Sequence, residues 1–194
     1  MDDFKEHLKT CYGKDLEQRS SWYSPAAQAY NKVRPHYPQN LIDRVVKLAN
    51  ITANTRILEV GCGPGIATVS FAQLGCSILC LEPNADFCKL AQENCQSYPN
   101  VTIQNTSFEE WELKDQKFDI VLAATSFHWI PPEIGYPKAA DSLKDKGYLI
   151  LLWNKELQPD YEVYQQLLVS YQKYAPFLSR YEDQTIQREI LKQL

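Results

Sequence analysis

The chain has 194 residues, 44% hydrophobic and 23% charged, enough for a soluble domain with a hydrophobic core of its own. Its 20 Lys and Arg against 24 Asp and Glu leave a formal net charge of -4 and no basic cluster, which argues against a nucleic-acid partner, since such faces replace phosphate counterions with Lys and Arg. The acidic start Met1-Asp2-Asp3 does not read as a secretion signal, and the longest apolar runs, 120–124 and 148–153, fall far short of the roughly 20 residues of a membrane span, so a cytoplasmic protein without a membrane partner is expected.

Residues 1–37 are polar and rich in aromatics, with Trp22, Tyr23, Tyr30 and Tyr37 among prolines at 25 and 35; they read as a helical arm or lid. From Gln39 the residues Leu41, Ile42, Val45, Val46 and Leu48 recur at helical spacing. Arg56–Val60 is a short apolar run, strand β1, that ends in glycines. A helix follows over 66–74 with Gly75 as its stop, then strand β2 over 77–81. Asn84 is a good N-cap for a helix running to about Gln96. Strand β3 covers 101–103 and strand β4 covers 118–124. A helix over 132–143, a turn at 145–147 and strand β5 over 148–153 complete the pattern. Strands that alternate with helices imply right-handed crossovers, a mainly parallel sheet and helices on both faces. The strands are continuous apolar runs, as in a sheet covered on both sides. Beyond 153 no strand signal appears, and Tyr164, Leu167, Leu168, Tyr171 and Tyr174 form a stripe at helical spacing.

Gly61, Gly63 and Gly65 stand directly between a strand and a helix. Without Cβ atoms the backbone turns sharply, and a ligand can approach the main chain beside a helix N-terminus. Glu82 closes β2 about 20 residues further on, where an acid accepts hydrogen bonds from ribose hydroxyls. A ribose-bearing ligand follows, either a dinucleotide such as NAD or S-adenosylmethionine (SAM). The dinucleotide fingerprint G-x-G-x-x-G would need glycine at 66, where the chain has Ile66. Glu59 inside the motif would repel a pyrophosphate but suits the ammonium of a methionine moiety, which favours SAM.

The segment Glu59-Val60-Gly61-Cys62-Gly63-Pro64-Gly65 resembles the first motif of class I SAM-dependent methyltransferases, E/D-x-G-x-G-x-G. Leu81-Glu82-Pro83-Asn84, Asn105-Thr106-Ser107-Phe108-Glu109 and Phe118–Ala124 resemble later motifs in the right order. Tyr30–Pro38 and Ser126-Phe127-His128-Trp129 are similar to the type-11 subgroup, which includes trans-aconitate methyltransferase-like enzymes. The resemblance implies a Rossmann-like, doubly wound α/β core over 38–153 that binds SAM and yields S-adenosylhomocysteine (SAH). It implies cofactor contacts from Tyr30, Arg34, Glu59, Gly61, Cys62, Gly63, Gly65, Glu82, Pro83, Ser107, Phe108, Ala123, Ala124 and Thr125. Phe108 is expected to stack beside the adenine, and His128 to serve as a base or substrate-binding residue. The acceptor is expected to be a small molecule. No Asn/Asp-Pro-Pro-aromatic run follows β4, as amino groups of bases would require, and no Pro-Cys pair, as cytosine C5 chemistry would.

Two departures stand out. Ser107 occupies a place where the family often has aspartate. The family's sheet also ends in an antiparallel β6–β7 hairpin, so that hairpin is expected to be missing and 154–194 to be a helical lid or insertion cut short before it. A SAM-binding module without catalysis is the corresponding alternative, besides an NAD-linked oxidoreductase. The six cysteines, at 11, 62, 76, 80, 88 and 95, form no CxxC pair and lie at no ligand spacing from the histidines at 7, 36 and 128. They are expected to be reduced, small apolar residues with no metal. A monomer or homodimer is expected.

Overall fold

The structure is a computed structural model and describes residues 16–154 and 160–174. The chain divides into two compact units, Met1–Asn154 and Lys155–Leu194. In the first, the described arm comprises α1 (Leu16–Ser21), a 3-10 turn (Ser24–Ala26) and α2 (Ala27–Val33), followed by α3 (Gln39–Leu48). Five strands follow: β1 (Arg56–Val60), β2 (Ser77–Leu81), β3 (Val101–Gln104), β4 (Phe118–Ala124) and β5 (Leu143–Leu152). Helices α4 (Ile66–Ala72), α5 (Ala85–Asn94) and α6 (Pro132–Ser142) connect them, with a second 3-10 turn at Phe127–Trp129.

The strands pair in the order β3-β2-β1-β4-β5, every pair parallel. The chain winds outward from β1 to β3, then crosses back to place β4 on the other side of β1. Where the winding reverses, the connections after β1 and β4 diverge and leave a crevice at the carboxyl ends of the strands. This is the doubly wound α/β architecture expected from the sequence, here with five strands among the described residues.

Each apolar run divides its side chains between two layers, because successive residues point to opposite faces. Ile57, Ile78, Cys80, Ile120 and Leu122 face one cluster, which α3, α4 and α5 cover through Ile42, Phe71 and Ala91. Leu58, Val60, Leu81, Val121 and Ala123 face the other, closed by Ala139 of α6 and by Phe108, Trp111 and Phe127. The large side chains Ile57, Leu58, Ile120, Val121 and Leu122 are at most 1% exposed, so the sheet is buried on both faces as the unbroken apolar runs imply.

The C-terminal strand differs from expectation at its start. The turn expected at 145–147 lies inside β5, which begins at Leu143. Phe118 pairs with Leu143 but Ile120 with Tyr148, so extra residues bulge out of the fifth strand between these pairs. Lys146 has φ 65°, and a Cβ on Gly147 would come within 2.9 Å of Leu143 Cδ2 and 3.0 Å of the Asp119 and Lys144 carbonyls. Only glycine permits that close approach; its turn-like signature marks a bulge.

The second unit contains α7 (Tyr161–Tyr174), where the stripe expected to be helical is a helix. Tyr164 packs against Tyr161 and Tyr171, with ring centroids 6.4 and 6.0 Å away. The rest of the expected helical segment and the hairpin question lie outside the described residues, as does the start of the arm.

Candidate functional site

The floor of the crevice is the loop after β1. Gly61, Gly63 and Gly65 take φ values of 65°, 56° and 84°, in the left-handed region that glycine enters without penalty. They do different jobs. A Cβ on Gly61 would lie 2.7 Å from Ser126 Cβ, so this glycine lets the loop after β4 close against the one after β1. Ser126 fastens that contact by donating its hydroxyl to the Val60 carbonyl. Gly65 is the N-cap of α4 and packs on α5, where a Cβ would meet Cys95 Sγ at 3.3 Å and Ala91 at 3.5 Å. Around Gly63 there is nothing within 4 Å of the position of a Cβ, so its bare backbone faces open space in the crevice.

Glu82 stands beside that open space. Its Oε2 accepts the Gly63 N–H and its Oε1 accepts the Asn84 N–H, both at 2.8 Å. It is 6% exposed, and burial pushes its carboxyl up to about 7 even though both N–H donors pull the other way. Each oxygen keeps a further lone pair for a hydroxyl donor.

Glu59, expected in the pocket, is not in the crevice wall. Alternation along β1 turns it with Ile57 toward α4, away from the crevice. It is fully buried, with Oε2 accepting from the Thr68 hydroxyl at 2.7 Å and from the Cys80 thiol at 3.8 Å. Its Oε1 is buried without a partner, and burial pushes the carboxyl up to about 7. Any influence on a ligand passes through the loop that β1 leads into.

The far wall comes from the loop after β3. Ser107 caps the turn there, its hydroxyl donating to Glu110 Oε2 at 2.8 Å and accepting the Glu110 N–H at 3.1 Å. Phe108 borders the crevice but is only 2% exposed. Its ring stacks on Trp111 at 6.4 Å, and the Lys138 ammonium sits 5.5 Å from its centroid. It is thus a core residue with an edge at the site.

At the end of β4, Ala124 and Thr125 border the crevice while Ala123 is wholly buried beneath it. Thr125 adopts φ 60°, a left-handed conformation rare for a β-branched residue. Its hydroxyl meets the Tyr37 hydroxyl at 2.9 Å and accepts the Asn154 N–H at 3.4 Å. Three distant segments meet on this one side chain. From the 3-10 turn beyond, Trp129 and Ile130 enter the wall. His128 does not, because the turn points it outward; it is exposed, and Trp153 Nε1 donates to its Nδ1 at 3.5 Å. Partial burial, then the charge of Arg34, lowers its pKa.

The arm forms the roof. Tyr23 lies 5.4 Å from Tyr30 and 6.0 Å from Phe87, and meets Trp129 edge-on at 6.4 Å. Arg34 stacks over Tyr30 at 5.4 Å and borders the crevice, supplying its positive charge.

Of the residues expected at the cofactor, Tyr30, Arg34, Gly61, Cys62, Gly63, Glu82, Pro83, Ser107, Phe108, Ala124 and Thr125 border one crevice. Glu59, Gly65, Ala123 and His128 lie outside its wall. Tyr23, Tyr37, Asn84, Ser126 and Trp129 also belong to the wall, beyond the contacts that the resemblance implies. Tyr37, Ser126 and Trp129 sit inside the two subgroup-like segments, which was the available signal.

A reversed parallel sheet, a glycine loop at the reversal and a buried acid closing the neighbouring strand define a nucleoside-binding α/β domain. Residues 57–147 match the methyltransferase domain family. An uncharacterized methyltransferase of Mycobacterium bovis is 29% identical over 145 residues, 75% of this chain and 56% of that protein. A probable S-adenosylmethionine-dependent methyltransferase of Saccharomyces cerevisiae is 24% identical over 84% of this chain and 57% of its own length. The chain thus spans little more than half the length of these relatives. A SAM-dependent methyltransferase of Thiobacillus denitrificans, solved with SAH, superposes with a TM-score of 0.53 at 15% identity, covering 74% of this chain and 67% of the other. In sequence the chain is thus similar to SAM-dependent methyltransferases, most clearly over residues 57–147, and it shares its fold with a solved one.

Proposed function

We propose that the crevice binds SAM and that the protein transfers its methyl group to a small-molecule acceptor. The observation that carries this reading is the pairing of Glu82 with the bare Gly63 backbone, an acid and an open cradle at the point where the sheet reverses. The surrounding chemistry fits the cofactor. Glu82 has lone pairs for the ribose hydroxyls, while Pro83, Phe108 and Ile66 offer apolar surface to the adenine. Arg34 supplies a cation for the methionine carboxylate, in a partly desolvated place where a charge-assisted hydrogen bond is strong. The loop N–H groups at the start of α4 add their dipoles.

SAM supplies an already activated methyl group, so the protein's task is alignment and water exclusion. Thr125 and Tyr37 fix the end of β4 against the arm, and Tyr23 and Trp129 roof the crevice with apolar rings. His128 is our candidate for proton removal at the rim, its lowered pKa leaving a neutral imidazole at neutral pH. The mainly apolar wall and the net charge of -4 support a small acceptor over a nucleic acid. Among the described residues no helix is long and apolar enough to cross a membrane. Isothermal titration with SAM, SAH and NAD tests the reading. Micromolar binding of SAM and SAH is expected, and NAD binding without either would overturn it.

A further inference from the structure

The arm is fastened to α5 at both of its ends. At the first end, Asn84 Oδ1 accepts the N–H groups of Asp86 and Phe87, each at 2.9 Å. Two donors can converge only on an oxygen, so the other side-chain atom is the amide nitrogen. That nitrogen donates to the Ser20 carbonyl at 2.6 Å and to the Ser24 hydroxyl at 3.0 Å, both in the arm. The Asn84 backbone N–H, meanwhile, donates to Glu82 Oε1. Asn84 is 4% exposed, so these bonds form where water competes poorly. At the second end, Asn94 Nδ2 donates to Asn31 Oδ1 of α2 at 3.0 Å and to the Pro64 carbonyl of the glycine loop at 2.8 Å.

We infer that Asn84 is a positioning residue that couples closure of the arm to occupation of the cofactor site. One half of its amide caps α5, the other half latches the arm, and its main chain holds the acid proposed for the ribose. Asn94 repeats the connection to the glycine loop. An arm that lifts breaks the Ser20 and Ser24 contacts and carries Tyr23 and Tyr30 away from the crevice; a cofactor that bridges Glu82 and Arg34 holds both sides together. The inference rests on the SAM reading above, and it assigns to Asn84 a role that an ordinary helix cap does not have.

Substituting Asp for Asn separates the two halves. Asn84→Asp keeps an oxygen for the Asp86 and Phe87 N–H groups, and Asp is as good an N-cap as Asn. It replaces the donor facing the Ser20 carbonyl with an acceptor. Ser24→Ala removes one latch partner and leaves the cap intact. Both variants are titrated with SAH, and the arm is probed with trypsin, read by mass spectrometry at Lys32, with and without SAH. The expected result for Asn84→Asp is a lowered unfolding midpoint in a protein that still melts cooperatively, SAH affinity reduced about tenfold, and an arm that SAH no longer protects. Ser24→Ala should show the same direction with a smaller change. Wild type that fails to bind SAH sinks the cofactor reading and the coupling with it. Wild type that binds SAH, with Asn84→Asp matching it in affinity and in SAH-dependent protection, sinks the coupling alone.

Discussion

The Gly63 N–H donates to Glu82 Oε2 at 2.8 Å, so the glycine loop and the acid closing the neighbouring strand form one hydrogen-bonded unit. This bond determines what replacement of Glu82 does. Glu82→Ala removes the acceptor for the buried Asn84 N–H, for the part-buried Gly63 N–H and for the ribose hydroxyls. SAH affinity should fall by about 1–3 kcal/mol, the range for leaving buried donors without partners, and the unfolding midpoint should drop as well. Calorimetric titration and a thermal melt read the two effects separately. Unchanged affinity would remove Glu82 from the site.

The same acid sets a pH dependence. Its folded-state pKa is raised from 4.5 to about 7, as is that of Glu59. A carboxyl with a raised folded pKa binds its proton more tightly in the folded state. The stability this gives is fully present below 4.5 and is lost as pH rises through about 7. Ribose hydroxyls, as donors, favour the ionised carboxylate, so SAH should bind more tightly as pH rises toward about 7 and level off above it. Titration at several pH values in buffers of different ionisation enthalpy should also show proton release on binding near neutral pH. Affinity that falls as pH rises through this range contradicts the assignment.

Gly61 and Gly63 should respond differently to the same substitution. Gly61→Ala puts a methyl group 2.7 Å from Ser126 Cβ in addition to the left-handed φ, so it should destabilise the fold and the crevice together. Gly63→Ala meets no protein atom within 4 Å. Its folding cost should be only the backbone term, about 1–2 kcal/mol. Yet its methyl group points into the space proposed for SAM, so binding should fall sharply in a protein that still melts cooperatively. A Gly63→Ala variant with wild-type SAH affinity would show that the cofactor does not lie on this part of the loop.

The five strands, the three glycines and Glu82 were all legible in the sequence, because each depends on local chemistry: apolar runs, backbone freedom and an acid at a fixed spacing. What was not legible comes from geometry that spacing does not carry. Glu59 is two residues before Gly61, but strand alternation sends it to the helix layer. Phe108 follows β3 as expected, but Trp111, three residues on, takes its ring face. The bulge in β5 hides in a segment whose composition reads as a turn. Tyr37 and Thr125 are 88 residues apart, and their hydrogen bond follows only from the way the arm returns across the sheet. That bond gives a further expectation: Tyr37→Phe should cost about 1 kcal/mol of stability by thermal or denaturant unfolding.

His128 poses the remaining question about chemistry, because the turn at Phe127–Trp129 leaves it outside the crevice wall with Nδ1 facing Trp153. A base needs hydrogen-bond reach of the proton it removes, and such contacts often tighten only when substrate is bound. Partial desolvation of the ring by its neighbours, then the charge of Arg34, lowers its pKa and favours the neutral imidazole that a base requires. His128→Gln keeps a polar side chain and removes the titrating nitrogen. SAH formation with a metabolite pool should fall by about a hundredfold or more if His128 moves a proton, while SAH affinity stays at the wild-type value because no cofactor contact changes. A loss of SAH affinity would instead place His128 in the cofactor site, and undiminished turnover would assign methyl transfer to alignment by the Tyr37–Thr125 and Tyr23–Trp129 contacts alone.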